Sequence, residues 1–274
     1  MKNKFSIVDL FELFTVFITI LVIAFTTTVI LAILIYGFPF LGAAFYSEEV
    51  RFSLKLSLYT ASISTMICIF LAIPTAYTLT RTAFPFKKIV QIILEMPLSM
   101  PYLVLGLSLL IIFSSDFGKM LKELGFKVVF DKNGIIMAQT VVNLPYVIRF
   151  IRTAFAEVDQ RLEFIAGCLG ASKWERFITI TLPLSKNAII TMIILTWSRA
   201  LGEFGATLML VGATRMKTET LTTSVYLNLA TGDMGASMAS ASIILFVSFV
   251  ALFITSWIGR KNKQESRMKD VNIW

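Results

Sequence analysis

Long uncharged apolar runs alternate with short charged segments along the whole chain. Residues 13–47 carry no charge, 56–80 is a second uncharged run closed by Lys55 and Arg81, and 96–115 is a third between Glu95 and Asp116. Residues 133–148 make a shorter fourth run, 188–211 a fifth interrupted by Arg199 and Glu203, and 234–259 a sixth that stays uncharged up to Arg260. A spanning helix needs roughly 20 largely apolar residues. The pattern therefore predicts an all-α, polytopic integral membrane protein with six transmembrane helices, which puts both termini on one side. The first run is too long for a signal-peptide core and shows no small-residue cleavage site, so it is expected to be retained. With no Gly/Ser linker, low-complexity tract or internal repeat, residues 1–274 read as one integral domain.

Composition narrows the function. Apolar residues make up 57% of the 274 and charged residues 15%, against roughly 25% charged in a soluble domain. A soluble monomer could not hide that surface. The absence of His removes His acid–base catalysis and His metal ligands. Cys68 and Cys168 are too far apart in sequence to suggest a zinc site or a disulfide framework, and both read as packing residues. The net charge is +8, but the basic residues are scattered between apolar runs, which argues against nucleic acid. With the N-terminus inside, 16 Lys and Arg fall on the tails and inner loops and 8 on the outer loops. That bias predicts a multi-pass protein of the cell membrane with both termini cytoplasmic.

The longest polar excursion, residues 149–187, carries the most information. Asp159 is placed to cap a helix on which Leu162, Ile165, Ala166 and Leu169 share one face. Gly170 stops that helix, and Ser172 with Glu175 has the capping-box spacing that starts another, carrying Trp174, Phe177 and Ile180. A linker needs neither two capped helices nor an exposed Trp, and such a surface more often docks another protein.

Ala166, Gly170, Ile180, Leu182 and Pro183 match the cytoplasmic loop of ABC importer permeases, whose pattern reads Glu-Ala-Ala, three residues, Gly, nine residues, Ile, any residue, Leu-Pro. Here Phe164 and Ile165 stand where Glu and the first Ala are usual, and Glu163 is one place early. The resemblance runs over residues 55–257 and takes in the prolines at 97 and 101 and the Leu144-Pro145-Tyr146 block with Arg149. It implies a type I importer permease fold and a coupling loop in which Glu163, Ala166, Gly170, Ala171, Ser172, Trp174, Ile180, Leu182 and Pro183 meet an ATP-binding subunit. It further implies a homodimer with two ATPase subunits, an extracytoplasmic binding protein, and ATP and Mg on the partner with no cofactor on this chain. Gly202-Glu203-Phe204-Gly205-Ala206-Thr207, Gly212-Ala213-Thr214 and Lys217-Thr218-Glu219-Thr220-Leu221 are similar to the molybdate/tungstate branch, with sulfate the nearest alternative.

Energetics agree that such a chain needs a motor: moving a dianion inward against about 100 mV costs roughly 4.6 kcal/mol. The chain has no phosphate-binding loop of its own. Its one Gly-Lys pair, Gly118-Lys119, has Phe113 where the first glycine belongs. Within the membrane, Arg199 and Glu203 are four apart and are expected to pair on one helix face. Ser198, Thr207, Ser237, Ser240 and Ser242 are candidate hydroxyls for a substrate path, because hydroxyls donate to an oxyanion without trapping it. A stand-alone ion-coupled carrier would show internal repeats, and a membrane enzyme a cluster of chemistry-bearing residues within the spans. Neither pattern is present, though both classes stay open on sequence.

Overall fold

The computed structural model describes residues 10–271, with side chains described for 11–254. It is helical throughout. α1 (Leu10–Tyr46) is followed after the single residue Ser47 by α2 (Glu48–Arg81). The Ser47 side chain accepts from Val50 N, Glu48 and Glu49 sit in the first turn, and Arg81 sits in the last, so both ends complement the helix dipole. Next come α3 (Lys87–Glu95), a 3₁₀ turn (Met96–Ser99), α4 (Tyr102–Ser114) and α5 (Asp116–Glu123). α6 (Lys132–Glu157) crosses back, leading to the short α7 (Gln160–Cys168) and α8 (Lys173–Arg176). A π turn at Phe177–Thr181 joins α8 to α9 (Leu182–Leu201). α10 (Gly205–Val211), α11 (Leu221–Ala230) and α12 (Met234–Val271) complete the chain.

Among the described residues five helical runs are long and apolar enough to cross a bilayer, and six if the bent pair of α3 and α4 counts as one span. α1 packs along α12 and leaves most of its surface bare, as a lipid-facing helix must. Lipid supplies no hydrophobic drive between helices, so close association depends on small side chains. The central pair α2 and α6 meets through Cys68, Ala72 and Ala76 against Val147, Ile148, Ile151 and Phe155. A second cluster joins Leu56, Leu105, Leu109, Ile135, Ala138, Ala206 and Leu210, drawing α4 and α10 onto α2 and α6.

Two expected spans are not continuous. The third, placed at 96–115, bends by 110° between α3 with its 3₁₀ turn and α4. Pro101 follows Met100, whose backbone is extended (φ −90°, ψ 141°), because the proline ring excludes the helical conformation from the residue before it. α3, with Lys87 and Lys88 at its start and exposed Ile89, Ile92 and Ile93, has the make-up of an interfacial helix. Glu95 at its end pairs with Arg152 of α6 at 3.1 Å. The fifth span, placed at 188–211, begins earlier, as a run from Lys173 to Leu201, and breaks at Gly202–Phe204 before α10.

The break lets α10 lie against α4, and Gly106 makes the contact possible. A Cβ on Gly106 would lie 2.6 Å from the Ala206 carbonyl oxygen and 2.7 Å from its Cα. Backbone cannot yield as a flexible side chain can. Gly106→Val should cost about 1–3 kcal/mol by overpacking and lower the unfolding midpoint in detergent. An unchanged midpoint would mean that α4 and α10 are not locked together.

Candidate functional site

The segment after α6 is built from local signals. The Asp159 carboxylate accepts from Arg161 N at 2.9 Å and caps α7. At the other end Gly170 adopts φ +91°. Its N–H donates to the Gly167 carbonyl at 3.1 Å, and Ala171 N donates to the Ala166 carbonyl at 3.0 Å. These are the paired bonds of a Schellman turn. Ser172 then opens α8: Glu175 N donates to Ser172 Oγ at 3.3 Å, and Ser172 N donates to the Glu175 carboxylate at 2.7 Å. That backbone donor, with the Ser172 hydroxyl, holds the Glu175 carboxyl below the usual carboxylate range.

Glu163 anchors the loop to the bundle. It was expected on the partner-facing side, but it turns inward. Its Oε1 accepts from Arg81 Nε at 2.8 Å and from Thr181 Oγ1 at 2.7 Å. Both charged side chains are buried, at 7% and 11% exposure. Arg81 Nη2 also donates to the Val158 carbonyl at 3.0 Å, and Arg176 Nη1 to that of Glu163 at 3.4 Å. One carboxylate thus ties the end of α2, the middle of α7 and the π turn below α9. Its partners Arg81 and Thr181 had no signal in the loop pattern, since one is 82 residues away and the other is a hydroxyl inside an apolar run.

With Glu163 inside, the apolar side chains face out. Phe164 is 70% exposed, Leu169 84% and Trp174 67%, and Leu162, Ile165 and Ile178 are exposed with them. Ala166, Ala171, Ile180 and Leu182 are half-buried behind this surface, while Ser172 and Pro183 are exposed. Of the expected stripe of Leu162, Ile165, Ala166 and Leu169, all but the half-buried Ala166 are exposed, and Phe164 widens it.

 

The intramembrane residues form a different arrangement from the expected one. Arg199 and Glu203 make no ion pair, because the helix on which they would share a face ends between them. The Glu203 Oε1 instead accepts from Ala206 N at 2.6 Å and Thr207 N at 3.2 Å, capping α10. Arg199 Nε donates to Asn143 Oδ1 at 3.2 Å and its Nη2 to the Tyr102 hydroxyl at 2.9 Å. Its guanidinium carbon lies 4.6 Å from the centre of the Tyr146 ring. Beside them, Gln139 accepts from Ser64 Oγ at 3.0 Å and donates at 2.9 Å to the Ala200 carbonyl, which at the break also accepts from Glu203 N at 3.2 Å.

The candidate hydroxyls are dispersed. Ser237 Oγ donates to the Val225 carbonyl at 3.0 Å, and Ser242 Oγ lies 2.9 Å from the Met238 carbonyl and 3.2 Å from that of Ile33. Thr207 Oγ1 and Ser240 Oγ are buried with no hydrogen-bond partner among the described residues, and Ser198 is half-buried. Within one chain these groups sit in separate helix contacts. The 217–221 segment is also structural: Thr218 Oγ1 accepts from Thr214 N at 3.2 Å, the buried Glu219 accepts from Met216 N at 3.2 Å, and Thr220 caps α11.

Residues 68–264 match the family described as "Binding-protein-dependent transport system inner membrane component". Among curated relatives, the molybdate/tungstate transport system permease protein WtpB of Thermococcus kodakarensis is 33% identical over 77% of this chain and 79% of its own length. The sulfate transport system permease protein CysT of Escherichia coli is 30% identical, covering 76% of each. Among solved structures, a chain of a bacterial alginate ABC transporter in complex with a periplasmic protein superposes with a TM-score of 0.75. It covers 95% of this chain and 98% of its own at 17% identity, a likeness of fold.

A test of the loop geometry lies at Gly170. No atom outside its chain neighbours stands within 4 Å of a Cβ built there, so the requirement is one of backbone conformation alone. Gly170→Val should cost about 1 kcal/mol or more, and Gly170→Asn less, because Asn tolerates positive φ. Trypsin cleavage at Arg161 and Lys173 should accelerate in the order Gly, Asn, Val. Equal rates would remove the turn from the account.

Proposed function

The chain belongs to the family of binding-protein-dependent transport system inner membrane components, and from that premise we propose that it imports a tetrahedral oxyanion, molybdate or tungstate, through a two-fold pair of copies. It is the membrane subunit of an ATP-driven importer, and ATP is hydrolysed on a separate ATP-binding chain. Family membership also removes the stand-alone carrier and the membrane enzyme as readings. In the proposed complex two copies of this chain stand on two ATPase subunits, and the binding protein delivers the anion from outside. Both termini lie in the cytoplasm, in keeping with the basic loops.

The observation that carries the coupling reading is the clamped loop. Its apolar surface, made by Phe164, Ile165, Leu169 and Trp174, is left bare while its polar anchor Glu163 is buried. A bare apolar patch on a charged loop favours a protein partner. In this reading the patch seats on the ATPase and the Glu163 anchor passes its movement to α2 and α9. Gly170, Ala171 and Ser172 shape the corner, Pro183 stands in the first turn of α9, and Glu163 acts from behind them.

The substrate reading rests on the 202–207 segment together with the molybdate/tungstate relative at 33% identity. Sulfate is the second reading, favoured by the sulfate permease at 30%. Deleting the gene and measuring uptake of labelled molybdate, tungstate and sulfate at nanomolar supply separates them. Loss of molybdate and tungstate uptake with sulfate uptake kept is the expected result. Loss of sulfate uptake alone would move the chain to sulfate, and loss of a cationic or neutral nutrient would remove the oxyanion reading.

A further inference from the structure

We propose that Arg199 and Arg149 form a two-step cationic track that carries the oxyanion from mid-membrane to the loop end of the bundle. This rests on the oxyanion reading above and adds the residues that would touch the anion. Arg199 lies beside Asn143, near the middle of α6 and within the run expected to cross the bilayer, yet it is exposed in the chain. A guanidinium facing lipid is costly. Its face therefore belongs on water or on a second copy, and not on hydrocarbon.

Ion pairing sorts the arginines. Arg81, Arg152 and Arg215 are paired with Glu163, Glu95 and Glu49, so their charges are answered within the chain. Arg51 at the start of α2, Arg161 and Arg176 in the loop, and Arg149 and Arg199 make no salt bridge among the described residues. Of these, only Arg149 and Arg199 border Tyr146 on α6, and Glu203 is near enough to Arg199 for the two charges to interact without pairing. The three contacts of Arg199, to Asn143, Tyr102 and the Tyr146 ring, orient the guanidinium and leave Nη1 without a hydrogen-bond acceptor. A planar guanidinium with free N–H groups suits an oxyanion, whose paired oxygens it can bridge.

A groove on α6 holds Arg149 and reaches the Tyr146 ring over which Arg199 stacks. About 260 Å³ in volume, it begins at Tyr146, the ring under Arg199, and passes Arg149, Phe150 and Thr153 to Glu157, with Ala188 of α9 as the facing wall. The α6 residues in it recur at helical spacing on a single face. Arg149 and Thr153 are both exposed there. Beyond Arg199, which stands over the Tyr146 end, the order along the groove is cation, hydroxyl, carboxylate, from Arg149 through Thr153 to Glu157. An anion gains at Arg199 and Arg149 and is repelled at Glu157, which favours release at that end. Two copies related by a two-fold axis would offer two Arg199 side chains, matching the double charge of the proposed substrate. Because each guanidinium already has three partners, the anion is held without being trapped.

The test uses the complex reconstituted in proteoliposomes with its ATP-binding subunit and binding protein, on a Cys68→Ala, Cys168→Ser background. Arg199→Cys should lower labelled molybdate uptake at least tenfold. A cationic aminoethyl thiosulfonate should restore it several-fold, and an anionic sulfonatoethyl reagent should not. Arg149→Cys should behave the same way with a smaller loss. Where Arg199→Cys fails to assemble, Arg199→Lys should keep at least a third of the uptake and Arg199→Gln less than a tenth. Uptake within twofold of the parent for both Cys variants, equal effects of the two reagents, or equal uptake by the Lys and Gln variants would overturn the track and leave the oxyanion reading in place. A parent complex that imports no oxyanion would overturn the functional reading, and the track with it.

Discussion

The buried pair of Arg81 and Glu163 is the constraint on which the working end of this protein depends. Removing two charges from water is expensive, and the attraction between them compensates only when the remaining hydrogen-bonding groups are also satisfied. Here Thr181 donates a second hydrogen bond to the same carboxylate oxygen and the Val158 carbonyl accepts from the same guanidinium, so that of the buried guanidinium only Nη1 lacks a partner among the described residues. The partners come from α2, α7, the end of α6 and the π turn. Loss of one charge leaves the other buried and unpaired, which typically costs about 3–5 kcal/mol. The loop is thus held to the spanning helices by its polar interior, and its apolar exterior is left bare.

The same economy of polar groups explains the broken spans. Inside a bilayer every backbone N–H and carbonyl must find a partner within the protein. At the break after α9, Glu203 takes the freed N–H groups of α10 and Gln139 donates to the Ala200 carbonyl. At the bend before α4, Pro101 carries no N–H to satisfy, and the Tyr102 hydroxyl next to it receives a hydrogen bond from Arg199. Gly106 then lets α4 and α10 close on each other, so the bend and the break lie together. Irregular backbone at this depth is tolerated where protein or a water-filled cavity surrounds it, in keeping with a route for a polar solute beside Arg199.

Run length made the fold legible, since five of the six uncharged runs lie wholly or partly in helices long and apolar enough to span, and the third lies in the bent pair of α3 and α4. Local capping made the loop legible as well: Asp159, Gly170 and the Ser172–Glu175 box act as their spacing requires. What depended on distant partners was not legible. Glu163 looks like a surface acid in its own segment, and only Arg81 folded against it turns it inward. The pairing expected of Arg199 and Glu203 assumed an unbroken helix, whereas Gly202 and Gly205 border a break. The hydroxyls at 237–242 are small polar groups in an apolar helix, a pattern that fits both helix packing and a conduit, and the carbonyl acceptors that Ser237 and Ser242 find on neighbouring elements are set by tertiary structure.

The central claim is that the loop moves with the membrane helices because Arg81 and Glu163 hold it there. The most direct measurement is stimulation of ATPase activity by loaded binding protein in the reconstituted complex, compared among Arg81→Met, Glu163→Met and the double variant. Each single change should abolish most of the stimulation while the ATPase subunit stays bound. The double change, which leaves no unpaired buried charge, should recover a large part of it. Single variants that respond as the parent does, or a double variant no better than the worse single one, would contradict the account.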